Sequence, residues 1–85
     1  MKKDIDKKFI IEKINEKFNK QKHLIALYPM IVPIVLSTSY KNLTKLRESN
    51  QLNWVDYGRY HLYSKSDIAD YILKNINKKK FKILN

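Results

Sequence analysis

Cysteine is absent from this 85-residue chain, which excludes disulfides and thiolate-ligated metal and fits a reducing compartment. Glycine occurs once, at Gly58, and proline twice, at Pro29 and Pro33. A single glycine cannot build a Gly-rich phosphate loop. The two histidines, His23 and His61, are far apart in sequence, and the carboxylates are interspersed among lysines. No set of converging metal ligands is visible, nor a nucleophile with its base and orienting partner. The chain is therefore expected not to be an enzyme and to need no cofactor, metal or small-molecule substrate. Long apolar runs are missing as well. The longest, 24–36, is shorter than the about 20 residues a membrane-spanning helix requires. Met1 to Lys22 mixes charge and hydrophobe throughout, unlike the apolar core of a signal peptide. A cytoplasmic protein without a membrane partner is the expectation.

Acidic residues are also scarce. Against 18 Lys and Arg stand 8 Asp and Glu, a formal charge of +10. Such a field attracts polyanions and speeds encounter with them, so nucleic acid is the first partner to consider. An A- and T-rich coding sequence would also raise Lys, Asn, Ile and Tyr regardless of function, and all four are abundant here. The length suits a single domain, 1–85, with no linker, repeat or low-complexity segment.

Gly58 lies between two runs of aromatic and β-branched residues within 54–63, which predicts a two-stranded β-hairpin turning at the glycine. Of the hairpin's aromatic and apolar side chains, Trp54, Tyr60 and Leu62 are expected to bury. Tyr57 and Tyr63 are expected to stay outside with Arg59, where they could stack on unpaired bases or anchor a protein. His61 reads as a strand residue of the same hairpin. Residues 4–22 carry Phe9, Ile10, Ile11, Ile14 and Phe18 at helical spacing, an amphipathic helix whose stripe packs on the domain. It could alternatively lie along phosphates or dock a partner. The stretch 24–36 reads as buried core containing a short helix over 30–36, shaped by Pro29 and Pro33.

Ser37, Thr38 and Ser39 suit a turn followed by an N-cap, after which 40–50 forms a helix. With Ser39, Leu43, Leu46 and Asn50 inward, Lys41, Asn42, Thr44, Lys45 and Glu48 face outward. Asn can pair with adenine edges and Lys with guanine or phosphate. Ser64 with Asp67 three residues on reads as a capping box opening a last helix, whose Ile68, Ile72 and Ile76 share a face edged by Tyr71. The run of lysines in 78–85 reads as a solvated basic tail able to add phosphate contacts.

The set Leu46-Arg47-Glu48-Ser49-Asn50, Leu52, Gly58-Arg59, Ser66-Asp67 and Tyr71-Ile72 resembles the excisionase and MerR-like winged helix-turn-helix proteins of mobile genetic elements. The resemblance covers roughly 37–76. Asn50 stands where that family usually has Gly, and Asn is the next-best residue for a left-handed C-cap. The apolar first helix departs from the family's more polar one. The resemblance implies a winged helix-turn-helix with short helix-turn-helix elements, a two-stranded wing and a C-terminal helix; with the N-terminal amphipathic helix read from its spacing, the expected fold is an α+β domain. It also implies a DNA-binding role as an excisionase or recombination directionality factor that positions an integrase. The DNA contacts expected are Thr38, Ser39, Lys41, Asn42, Lys45, Arg59 and His61. Tyr57, Arg59 and Tyr63 are the candidates for a protein or single-strand contact. A second reading is an accessory subunit docking onto a replication enzyme such as a polymerase, primase or helicase. A third is a transcriptional repressor, which would need a dimer to read two half-sites.

Overall fold

The computed structural model describes residues 5–84. Its elements run α1 (Lys7–Lys17), a 3₁₀ turn (Asn19–Gln21), β1 (Ala26–Leu27), α2 (Val32–Leu36), α3 (Tyr40–Glu48), β2 (Val55–Tyr57), β3 (Tyr60–Ser64), α4 (Lys65–Asn75) and a second 3₁₀ turn (Lys82–Leu84). This is a small α+β arrangement of four α-helices and a three-stranded antiparallel sheet ordered β1-β3-β2.

Asp6 caps α1 by accepting from the Phe9 amide at 2.8 Å, one of the orphan donors of a helix start. The expected beginning at Asp4 lies outside the described residues. Ile10 and Ile14 are fully buried, and Ile11 and Phe18 pack beside them, as the helical spacing requires. The helix does not continue to residue 22, because Phe18 leaves helical geometry (φ −118°, ψ 63°) and a separate 3₁₀ turn follows.

The stretch 24–36 differs from its expectation in two ways. Ala26 and Leu27 form a third strand, pairing with Ser64 and Tyr63, so the sheet is not a two-stranded wing alone. Nor is the stretch wholly buried: Ile25 is 83% exposed, Met30 68% and Ile34 56%. Pro33 falls in the first turn of α2, where its missing N–H costs nothing, because the helix starts at Val32 rather than at 30. Only one face of so short a helix can meet the core, and Val32, Val35 and Leu36 occupy it.

Both helix ends beside the 37–39 turn and the hairpin close in the left-handed manner. Ser37 has φ 55°, with the Thr38 amide donating to Pro33 O at 2.9 Å. Asn50 has φ 60°, with the Gln51 amide donating to Leu46 O at 2.9 Å and the Asn50 amide to Arg47 O at 3.1 Å. That pair of bonds is the Schellman closure, and Asn serves in glycine's place. Ser39 and Asn50 are exposed rather than inward, because cap positions lie beyond the helical stripe.

Ser64 caps α4, its Oγ accepting from the Asp67 amide at 3.0 Å and donating to Asp67 Oδ2 at 2.8 Å. Ile68, Ala69 and Ile72 are fully buried, and fully burying a large aliphatic side chain contributes about 1.5–3 kcal/mol. The C-terminal segment is not a free tail. Phe81 is 2% exposed and Ile83 and Leu84 pack on the core, while the Lys82 amide donates to Ser37 Oγ at 2.9 Å. Three apolar residues among the lysines outweigh the tendency of the charge run to solvate; Asn85 lies outside the described residues. Lys65 is 5% exposed, and its ammonium donates to Asn15 Oδ1 at 2.7 Å and Gln21 O at 2.8 Å, tying α4 to α1 and the first 3₁₀ turn.

Candidate nucleic-acid interface

Residues 37–39 connect α2 to α3 in a short turn, and Ser39 caps α3 by accepting from the Asn42 amide at 3.1 Å. Leu43, 1% exposed, anchors the inner face, with Leu46 packed beside it. Helical geometry then turns Lys41, Asn42, Lys45 and Glu48 into solvent. The first turn of α3 holds no acidic residue, so the partial positive charge of the helix start adds to Lys41.

Asn42 is oriented as well as exposed. Its Nδ2 donates to Thr38 Oγ1 at 3.0 Å. Among the described residues the amide's second N–H and its carbonyl oxygen have no partner, the donor and acceptor that an adenine edge requires. Thr38 is half-buried and acts through Asn42, not as a free contact. Thr44 spends its hydroxyl on Tyr40 O at 3.3 Å.

The hairpin turns at Gly58-Arg59, with Tyr57 opposite Tyr60, Asp56 opposite His61 and Val55 opposite Leu62. Gly58 has φ +60° while Arg59 does not take a positive φ, the signature of a type II′ turn. Arg59 is exposed at the tip. His61 is less available than expected, because its Nδ1 lies 2.7 Å from Asp56 Oδ1 and its ring packs edge-on to Trp54, centroids 6.4 Å apart.

The alternation of the hairpin is the reverse of the expected one for two tyrosines. Tyr63, expected outside, is 1% exposed, whereas Tyr60, expected inside, is 41% exposed. Tyr63 is therefore no candidate for a partner or single-strand contact. Pairing explains it: Tyr63 faces Leu27 across β1, a strand the sequence reading lacked, and this assigns odd-numbered residues of β3 to the core side. Burial raises the Tyr63 phenol above its ordinary pKa, partly offset by the Arg47 guanidinium beside it. Arg47 also stacks on Trp54, its Cζ 5.8 Å from the ring centroid. It thus joins α3 to the hairpin, a positioning role that sequence reasoning missed although Arg47 falls one turn after Leu43 on the inward stripe.

The opposite face of the sheet carries Val55 and Tyr57, each 63% exposed, and Tyr60, which packs edge-on to Tyr28 with centroids 5.5 Å apart. Among the described residues, no group of three or more His, Asp or Glu is placed to hold a metal ion, and no helix is long and apolar enough to cross a membrane.

Comparison with known protein families, with curated proteins and with solved structures finds no match to this chain.

Proposed function

We propose that this protein is a non-catalytic, duplex-DNA-binding winged helix-turn-helix protein. In this reading α2 and α3 are the helix-turn-helix, the β2–β3 hairpin is the wing, and β1 is a short addition that extends the wing into a sheet. The observation that carries it is the exposed side of α3, where Lys41, Asn42 and Lys45 emerge from a capped helix with the Asn42 amide held by Thr38. A recognition helix contributes base contacts near its N-terminus and phosphate contacts beside them. Arg59 at the wing tip and the net charge of +10 support phosphate binding. The resemblance over 37–76 supports the finer role, an excisionase or recombination directionality factor of a mobile element working beside an integrase.

Fluorescence anisotropy against labelled duplexes over a salt series tests the binding. Affinity should fall steeply with salt, and Lys41→Ala and Lys45→Ala should each weaken it and flatten the log–log slope by about 0.9. Absence of binding at low salt, or salt-independent binding, would refute direct DNA recognition.

A second reading rests on the exposed sheet face. Val55, Tyr57 and Tyr60 form an apolar, aromatic surface beside Arg59, which suits a docking site on a replication enzyme or a platform for unpaired bases. Loss of function on Tyr57→Ala or Arg59→Ala, with Asn42→Ala harmless, would favour it.

A further inference from the structure

A groove of about 340 Å³ runs between the end of α1, α2 and the second 3₁₀ turn. Two of its three walls, α1 and 82–84, lie outside the segment that the DNA-binding reading uses. Phe18, Ile34, Val35 and Ile83 make its apolar surface, and Lys13, Lys17 and Lys82 bring charge to it. Ile34 is 56% exposed there, a large aliphatic side chain left in water although α2 is otherwise buried. Among the described residues the one carboxylate in the groove, Glu16, is engaged with Lys13 at 3.9 Å. Among the described residues Lys17 and Lys82 form no ion pair, and the Lys82 backbone is fixed by its bond to Ser37 Oγ.

We propose that this groove docks a short acidic segment of a protein partner. An apolar side chain of that segment seats against Ile34, Phe18 and Ile83, and its carboxylates face Lys17 and Lys82. The mixture of surfaces selects this occupant. A phosphate backbone would gain from the lysines but nothing from an aliphatic floor, and one phenylalanine cannot stack successive bases. Apolar anchors in a groove with complementary charge at the edge are how amphipathic peptides are held. The volume lies at the low end of the about 300–1,000 Å³ typical of ligand pockets, room for a few anchor side chains rather than a broad interface. The inference does not depend on α3 binding DNA.

The test is a titration of the ¹⁵N-labelled full chain with two synthetic peptides of equal charge. One is made of Asp and Glu around a Leu, Leu, Phe core at helical spacing; the other has serine in place of those three residues. The expected result is saturable shifts at Phe18, Ile34 and Ile83 but not along Tyr40–Glu48, with the apolar-core peptide bound at least about tenfold more tightly. Ile34→Asp and the Lys17→Glu/Lys82→Glu double variant should each lower that affinity by about tenfold or more, with circular dichroism unchanged because these side chains are solvent-facing. Equal affinity for the two peptides, shifts centred on α3, or no shifts at millimolar peptide would overturn the proposal. So would displacement of the peptide by a short DNA duplex with the same groove residues shifting, which would assign the groove to nucleic acid.

Discussion

Lys65→Met is the most informative change to the fold, because Lys65 carries a buried charge with no carboxylate partner among the described residues. The ammonium makes two hydrogen bonds, to Asn15 Oδ1 and Gln21 O, and lies at the first position of α4, where the helix dipole opposes it. Each bond from a charged donor is worth about 1.5–3 kcal/mol, and desolvating the ion costs several kcal/mol. Met fits the stem volume but leaves two acceptors with their own desolvation cost, about 1–3 kcal/mol each if water cannot reach them. Asn15 is half-buried and can turn toward solvent, so the net loss at neutral pH should be about 1–3 kcal/mol. The pH dependence has a definite sign. Burial lowers the Lys65 pKa below its ordinary 10.5, so as pH rises through the folded pKa the folded state gives up this proton before the unfolded state does. The unfolded chain then holds more protons, and stability from this group rises with pH until the unfolded pKa is passed. The stability of the native chain minus that of Lys65→Met, from urea unfolding between pH 7 and pH 10.5, should therefore grow with pH. A flat or falling difference, or a variant more stable than the native chain at pH 7, would refute this account of Lys65.

Gly58→Val should destabilise the protein by about 1–3 kcal/mol in urea unfolding through backbone strain alone, since a Cβ at Gly58 meets nothing within 4 Å while φ is +60°; a cost near zero would argue against the turn geometry. Arg47→Ala should cost about 1–2 kcal/mol by removing the stack on Trp54, and its tryptophan fluorescence should shift as the indole is rehydrated. Asn42→Ala should change duplex sequence preference by about 1–3 kcal/mol in competition binding, whereas Tyr57→Ala should leave duplex preference unchanged.

Helices α3 and α4 were legible because each announces itself through several agreeing signals. For α4, the Ser64 cap and the Ile68, Ile72 spacing coincide, and for α3 Ser39 and Asn50 mark the two ends. The Gly58 turn was legible for a similar reason, as the one residue able to take its φ at little cost. What escaped was set by tertiary pairing. Ala26–Leu27 has no alternating pattern of its own and becomes a strand only because β3 is there to pair with it. Without β1, nothing in the alternation says which face of β3 turns inward, and Tyr60 and Tyr63 were exchanged. The docked C-terminus escaped because the weight of Lys78, Lys79, Lys80 and Lys82 obscured Phe81, Ile83 and Leu84. For the candidate site, the exposed residues of α3 followed from helical periodicity. The Thr38 bond that orients Asn42, the pairing of His61 with Asp56 and the groove at Ile34 depend on distances no spacing encodes.

The corrected facing of the hairpin bears on how the two functional readings relate. Trp54, His61 and Tyr63 share the side of the sheet that meets Arg47 of α3. Alternation along the strands then turns Val55, Tyr57 and Tyr60 to the other side, away from α3. A duplex lying on Lys41, Asn42 and Lys45 would therefore meet a different side of the molecule from that aromatic face. Had Tyr63 pointed outward as first expected, the hairpin would have offered one mixed surface for which DNA and a protein would compete. With Tyr63 inside, the proposed duplex binding by α3 and the proposed docking on the sheet use separate surfaces. In the two proposed readings, duplex would be held by α3 and a partner by the sheet, so Asn42→Ala and Tyr57→Ala should each impair one binding event and spare the other.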